Sequence, residues 1–476
     1  MNVNPPFDES GTAYQQTRSA HWDNVAKKRD HWRGMGVWYH RRLVEIYKFL
    51  GSPEQRVLEI GCGRGDLLAS LRPSHGVGVD FSAEMIVRAK QRHPHLEFHQ
   101  LDAHDLSPLN GEFDVIILSD TVNDLWDVQR ALEQVKKICA PHTRLILNFY
   151  SHLWQFPLTL AQGLNLAAPM LSQNWLTPED VDNLLRLAGF ESIRTSREVL
   201  FPLPLGGLAN RYLVKLFPFN AFALSNFVIA RPAPQTAHNP SVSVVVAARN
   251  EAGNIKNIFE RLPQMGSKTE LIFVEGHSRD NTYETIEKEI PLHPTPSLLL
   301  RQPGIGKADA IRLGFEKASG DILMILDADL TVPPEDLPRF YEAITSGKGE
   351  FINGVRLVYP MEKEAMRTLN FIGNKLFSMA FSWMLGQPIK DTLCGTKVMW
   401  RKDYEQIAAN RSYFGDFDPF GDFDLIFGAA KLNRRIVDLP IRYRERTYGT
   451  TNISRWKHGI LLFRMVTFAA RRIKFV

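Results

Sequence analysis

Cysteine is nearly missing from this chain. Cys62, Cys139 and Cys394 are the only three in 476 residues. They lie far apart with no CxxC spacing, which argues against a disulfide framework or a zinc site and for a reducing, cytoplasmic setting. Long apolar runs are missing too. No uncharged apolar stretch reaches the roughly 18–20 residues a membrane-spanning helix needs; 216–230 and 376–389 come nearest. The first residues, MNVNPPFDESGTAYQQ, lack the apolar region of a signal peptide. A dominant charge is also absent. Lys and Arg number 57 against 52 Asp and Glu, for a net charge of +5, a weak hint of an anionic partner. The expectation is a soluble or peripheral protein.

What is present is α/β alternation, twice. The length predicts more than one domain. RVLEI, GVGVD, FDVIIL and RLILNF are short runs of Val, Ile and Leu separated by helix-length segments such as 82–93 and 124–139. The same rhythm restarts with VSVVVAA, ELIFVEG, SLLLRQ and DILMILD, with helices near 253–264, 280–290 and 306–318. Strand–helix repetition predicts parallel sheets with helices on both faces. RPAPQTAHNPS at 231–241 reads as a linker. The domains are set at 1–235, with a core at about 40–200, and 236–476. Residues 1–50 show helical spacing at Trp32, Trp38, Leu43, Ile46 and Leu50. Residues 151–230 read as a less regular insertion.

After the first strand comes GCGRG, with Gly61, Gly63 and Gly65, and then a helix-like DLLASL. Glycines there let backbone approach a ligand, and a helix N-terminus favours anionic groups. Asp80 ends the second strand, where a carboxylate suits a ribose diol. VLEIGCGRG, GVGVDFS, LDAHDL and FDVIILSDTVNDLWD together resemble the successive motifs of class I S-adenosylmethionine-dependent methyltransferases. That resemblance implies Glu59 and the 61–65 loop near the methionine part of S-adenosylmethionine. It further implies Asp80 at the ribose, Asp102 and Ala103 beside the adenine, and Asp120 facing the active site. No motif identifies the methyl acceptor; Asp120, His152 and Trp154 are candidates for its side.

The second half carries DILMILDADLTVPP at 321–334. Asp327 and Asp329 sit on alternate positions of an extended chain and so share a side. Carboxylates that close repel unless a cation lies beside them. Mg2+ and Mn2+ take oxygen ligands and often share them with a diphosphate. By itself the pair also fits a solvated acidic turn. In context, ARNEAGN, ELIFVEGHSRDNT, RQPGIGKADAIRLGFEKASG and DADL resemble, in order, the motifs of family 2 glycosyltransferases with the GT-A fold. More closely, they are similar to dolichyl- or polyprenyl-phosphate sugar synthases. The resemblance implies a nucleotide-sugar donor contacted by Asn250, Glu251, Glu275 and Asp280. It also implies a metal on Asp327 and Asp329, and Lys307 on the diphosphate. The chain departs from the family pattern at VEGHS, where VDDGS is usual, at Arg249, where an aromatic is usual, and at Thr331.

Further on, Arg356 follows FINGV and Asp391 lies in IKDTLCGTK. Asp416, Asp418, Asp422 and Asp424 cluster among aromatics. In the resembling family these segments form the acceptor side. An anionic phosphate acceptor needs cations such as Arg356, Arg442, Arg444 and Arg446. A hydroxyl acceptor needs a carboxylate base, Asp391 or Asp422. The end of the chain is basic. Lys457, Arg464 and Arg471 are seven apart, on one helical face, beside Ile460, Leu461, Phe463, Met465, Val466 and Phe468. This fits either a helix on an anionic membrane surface or a core-packed helix with a solvated basic side. No nucleic-acid module is recognisable.

The expected fold is therefore α/β in two domains, a Rossmann-like class I methyltransferase fold followed by a GT-A fold. The expected partners are a nucleotide sugar, a lipid-phosphate or glycolipid acceptor, and a membrane's cytoplasmic face. The alternatives are a transferase acting on a soluble glycan or protein hydroxyl, or a fusion with one inactive binding domain.

Overall fold

The computed structural model describes residues 9–28, 35–163, 171–202, 206–234, 236–356, 368–411, 422–442, 444, 448 and 463–476. Trp32, Asp416, Asp418, Arg446, Arg455, Lys457, Ile460 and Leu461 lie outside them, as does the side chain of Asp422. The chain divides into two compact units: Met1–Ala233 with Phe475–Val476, and Pro234–Lys474.

The first unit is built on a seven-stranded sheet: β1 (Arg56–Ile60), β2 (His75–Asp80), β3 (Glu97–Gln100), β4 (Phe113–Ser119), β5 (Cys139–Tyr150), β6 (Phe190–Glu198) and β7 (Ser225–Pro232). Their order is β3-β2-β1-β4-β5-β7-β6. Successive residues of a strand face opposite sides, so the apolar runs feed two cores. Leu58, Ile60, Ile116 and Leu118 pack with the helices Val128–Lys137 and Pro178–Leu187. Val57, Val115 and Ile117 pack with the helices Met35–Leu50 and Ala83–Arg92. Helix starts follow local chemistry: Ser82 and Asp127 accept backbone N–H bonds from Met85 and Arg130, and Thr177–Asp180 form a capping box behind Pro178.

Two expectations change here. Residues 151–230 are not simply an insertion: Phe190–Glu198 and Ser225–Pro232 complete the sheet. In addition, β7 runs antiparallel to both β5 and β6. An apolar run reports burial, not direction, so alternation alone cannot reveal a reversed strand.

The second unit repeats the plan with β8 (Val242–Ala248), β9 (Thr269–Glu275), β10 (Ser297–Arg301), β11 (Ile322–Ile325), β12 (Phe351–Val355), β13 (Lys397–Trp400) and β14 (Ile436–Pro440). Their order is β10-β9-β8-β11-β13-β12-β14. Here β13 is antiparallel to its neighbours β11 and β12. The helix Lys307–Lys317 lies close on β8: a Cβ on Gly314 would fall 2.3 Å from a Val245 methyl.

In each unit the parallel central strands end at one edge, where strand order reverses, the usual ligand crevice of such sheets. The register Ile60↔Val79 and Ile60↔Leu118 aligns three strand ends in the first unit. Ala248↔Glu275 and Ile325↔Val245 do the same in the second.

At the carboxyl end, Met465, Ala469 and Ile473 are buried at intervals of four, while Phe463, Arg464, Arg471 and Arg472 are exposed. Lys474 donates to the Trp383 carbonyl at 2.8 Å. This segment therefore packs one face inward and keeps its described arginines outside. Among the described residues no helix is long and apolar enough to cross a membrane.

Candidate functional site

In the first unit, Gly61, Gly63 and Gly65 all have positive φ. A Cβ would fall 2.3 Å from Thr121 Oγ1 at Gly61 and 2.6 Å from the Phe98 ring at Gly65. At Gly63 it would meet nothing within 4 Å. The outer glycines are packing requirements; the middle one faces open space, as a cradle for a ligand requires.

Asp80 holds this loop. Its two oxygens accept the Gly63 and Ser82 backbone N–H groups, each at 2.9 Å. Burial pushes its pKa up to about 6 against those bonds. Glu59 accepts the Leu68 N–H at 3.0 Å, in the first turn of the following helix, and burial raises its pKa well above the usual range. Asp102 accepts the His104 N–H at 2.7 Å and also pairs with the His104 ring and Gln15. Ala103 beside it is buried.

Asp120 has φ 55°, a sparsely populated conformation for aspartate. One carboxylate oxygen accepts from Tyr39 Oη at 2.8 Å and Asn148 Nδ2 at 2.5 Å. Burial lifts its pKa to about 6. Tyr39 Oη also lies 2.8 Å from Ser225 Oγ, and Tyr47 donates to Asn148 at 2.7 Å. The rings of Tyr39, Tyr150 and Trp175 form a chain beside Asp120, with centroids 5.9 and 6.5 Å apart. His152 is exposed, and Trp154 donates instead to the Phe222 carbonyl at 2.9 Å.

The helix Glu9–Lys28 supplies contacts no motif announced. Gln15 reaches Asp102, Trp22 donates to Asp124 at 2.7 Å, and Asp23 accepts from Ser82. These partners are 59 to 102 residues away in sequence, so no local pattern could reveal them.

In the second unit, Asp327 lies two residues beyond the end of β11. The Asp327 carboxylate accepts from Lys307 Nζ at 2.6 Å. Burial works to raise its pKa, but Lys307, then Arg356 and Lys397, outweigh burial and hold it below the usual range. Asp329 accepts both the Thr331 N–H (3.1 Å) and its hydroxyl (2.7 Å). The Arg444 N–H bonds the Thr331 carbonyl at 3.0 Å, bringing the arginine-rich stretch to this turn.

Asn250 has positive φ and accepts the Arg279 N–H at 2.7 Å. Glu251 is buried and accepts from Asn254 at 2.8 Å. Glu275 accepts the Ser278 N–H at 2.5 Å. Asp280 folds back to the Thr282 N–H at 3.2 Å and the Ala252 N–H at 3.4 Å. All four nucleotide-side candidates thus sit at the end of β9 or on the segments that follow β8 and β9.

Asp391 is fully buried. Arg356 meets it in a two-pronged ion pair, Nε at 2.7 Å and Nη2 at 2.9 Å, joined by the Arg356 and Leu393 N–H groups. Asp424 takes Arg411 at 2.9 Å and Arg312 at 3.2 Å.

Gly395 and Lys397 were not foreseen. A Cβ on Gly395 would fall 2.1 Å from Asp327 Oδ2 and 2.4 Å from Lys307 Nζ. Lys397, also fully buried, donates to Asn353 Oδ1 at 3.2 Å, and Asn353 in turn donates to Asp438 at 2.8 Å.

Among the described residues no cluster of three metal-ligating acids, histidines or cysteines occurs. Two carboxylates at one turn fit a cation that takes its other ligands from a diphosphate and water. The open cradle at Gly63 with Asp80 fits a nucleoside ligand.

Both units are doubly wound with acids near the reversal of strand order, and the first adds a glycine turn there, the usual ligand crevice of such sheets. Residues 35–195 match the family model "Methyltransferase domain" and residues 243–408 match "Glycosyl transferase family 2". The chain thus joins a methyltransferase domain to a family 2 glycosyltransferase domain. Similar proteins include a dolichol-phosphate mannosyltransferase of Pyrococcus furiosus, 34% identical over 108 residues, 22% of this chain and 30% of that protein. Another is an undecaprenyl-phosphate 4-deoxy-4-formamido-L-arabinose transferase of Proteus mirabilis, 26% identical over 233 residues, 48% of this chain and 67% of that protein. A magnesium protoporphyrin IX methyltransferase of Synechocystis, solved with bound SAH, is 18% identical with a TM-score of 0.33, covering 47% of this chain and 98% of that one. The matches span only 30% and 40% of the two mannosyltransferases from Pyrococcus furiosus and Saccharomyces cerevisiae.

Proposed function

We propose that the second domain transfers a sugar, with inversion, from a nucleotide sugar to a polyprenyl phosphate or related membrane glycolipid, and that the first methylates a related glycan, lipid or small molecule. The observation that carries the first reading is the Arg356–Asp391 pair. A hydroxyl acceptor needs a carboxylate free to take its proton, and of the two candidates Asp391 is instead fully buried under four N–H donors. A phosphate acceptor is already anionic. Its oxygen attacks the anomeric carbon as the bond to the nucleoside diphosphate breaks, and the protein needs only to position charge. Arg356, together with Arg444 at the Asp329–Thr331 turn, suits that task.

Asp327 and Asp329 would hold Mg2+ or Mn2+, which when bound withdraws charge from the leaving diphosphate. Lys307 would share that role. In the first domain, Glu59, the 61–65 loop, Asp80, Asp102 and Ala103 would bind S-adenosylmethionine, whose methyl sits on a cationic sulfur. Asp120, anchored through one oxygen by Tyr39 and Asn148, would orient the acceptor and receive its proton. A peripheral position at a cytoplasmic membrane face fits the second domain. Leu376, Met379 and Trp383 are exposed along one helix, and Phe463, Arg464, Arg471 and Arg472 are exposed near the end of the chain.

The test is mass spectrometry of lipid-extract products after incubation with a panel of nucleotide sugars, with and without S-adenosylmethionine. A glycosylated lipid phosphate is the expected product. Sugar appearing only on water-soluble hydroxyl acceptors would overturn the reading.

A further inference from the structure

The helix Glu9–Lys28 is fastened to the methyltransferase unit by polar and aromatic side chains. It contains no Leu, Ile, Met or Phe and a single Val, so it has no aliphatic stripe with which to dock. Its contacts fall instead in two adjacent rows. Tyr14, Arg18 and Trp22, four apart, share one row; Gln15, Asp23 and Lys27 share the next.

The rows grip opposite sides of the 61–65 loop. The first holds the segment after β4. Trp22 Nε1 donates to Asp124 Oδ2 at 2.7 Å, Arg18 Nε lies 3.3 Å from Asp124 Oδ1, and the Tyr14 and Trp126 ring centroids are 5.0 Å apart. Arg18, only 4% exposed, also donates to the Ser172 carbonyl. The second row holds the segments after β2 and β3. Asp23 accepts from the Ser82 hydroxyl and from the Glu84 N–H at 3.2 Å, Lys27 pairs with Glu84 at 3.5 Å, and Gln15 donates to Asp102. In the order β3-β2-β1-β4, the loop that follows β1 lies between these anchors. The helix therefore spans the mouth of the crevice that Gly63 and Asp80 line.

We infer that Glu9–Lys28 is the door of this crevice: S-adenosylmethionine enters, and S-adenosylhomocysteine leaves, when the helix lets go of Ser82, Asp102 and Asp124. The inference rests on the reading of the crevice as the S-adenosylmethionine site. The fastening suits repeated opening. Undocking an aliphatic face exposes apolar surface to water, whereas hydrogen bonds and ion pairs are exchanged for bonds to water at a small net cost. The buried Arg18 guanidinium on the Asp124 carboxylate is the strongest of these fastenings.

The test uses the full chain with S-adenosylhomocysteine as the ligand. Hydrogen–deuterium exchange should show ligand-induced protection at 9–28 as well as at 61–65. Arg18→Met, which keeps the apolar stem and removes the bonds to Asp124 and Ser172, should raise both the association and the dissociation rate about tenfold in stopped flow, with Kd changed less than either. Trp22→Phe, which removes only the indole donor, should shift both rates in the same sense by a smaller factor, and it serves where Arg18→Met does not fold. Protection at 61–65 with none at 9–28 overturns the inference and leaves the cofactor reading standing. So does a variant in which dissociation alone accelerates, because the helix is then a wall of the site and not its door. A wild-type chain that does not bind S-adenosylhomocysteine overturns both.

Discussion

The two sites solve the same problem, carboxylates at the ends of buried strands, in opposite ways. In the methyltransferase unit, Glu59, Asp80 and Asp120 are held by neutral donors: backbone N–H groups, a phenol and an amide. Burial therefore wins and their pKa values rise. In the glycosyltransferase unit, Asp327 has Lys307, Asp391 has Arg356, and Asp424 has Arg312 and Arg411. The cations there hold Asp327 down. The difference matches the charge each site is proposed to receive. A site with uncompensated acids attracts a cationic methyl donor. A site that takes an anionic diphosphate must first have its acids neutralised.

This contrast can be broken at several points. Arg356→Met leaves Asp391 buried and unpaired, and should destabilise the second unit by about 3–5 kcal/mol; Arg356→Met with Asp391→Asn should recover part of that loss. Denaturant unfolding followed for each unit separately measures both. Asp327→Asn should lower sugar-nucleotide turnover about a hundred- to a thousandfold while leaving S-adenosylmethionine binding intact. Unchanged turnover would remove Asp327 from the metal site. Asp80→Asn should weaken S-adenosylmethionine by about 1.5–3 kcal/mol, the worth of a hydrogen bond to a charged group, as read by calorimetry.

The pH dependence separates the units as well. Burial lifts the Asp120 pKa to about 6 in the folded chain, above the ordinary 3.8. The folded state therefore binds the extra proton between about pH 4 and 6, and stability falls as pH rises through that window. Asp120→Asn should thus melt higher than wild type at pH 7.5, by ~1 kcal/mol after allowance for solvent screening, with the advantage gone by about pH 4. A constant advantage at all pH values would refute the assignment. The smallest effect is expected of Thr331→Val, which removes a hydroxyl donor to Asp329 worth about 1 kcal/mol. A larger loss would indicate that Thr331 touches the metal or donor directly.

What the sequence revealed and what it hid divide along a physical line. Gly61, Gly65, Asp80 and the Asp327–Asp329 pair were legible because they sit just where a strand ends, and a turn after a buried strand leaves a local signature. Asp102 and Asn250 followed by order along the chain. Gly395, Lys397 and Asn353 were not legible. They reach the Asp327 region only because β13 runs antiparallel between β11 and β12, and strand direction is written in topology, not in residue spacing. The helix Glu9–Lys28 was hidden for a related reason: its contacts to Asp102, Asp124 and Ser82 close long loops. Asp391 was visible as an acid in a glycine-containing loop, yet its partner Arg356 lies 35 residues away, so its pairing was not.

Gly395 has a practical consequence. Its missing side chain is the space occupied by the Asp327 carboxylate and the Lys307 ammonium. In an alanine scan, where glycine is usually the least informative position, residue 395 should therefore score among the most damaging. A single methyl group would displace the charges that two other residues hold in place, and the scan would find a functional position with no functional group of its own.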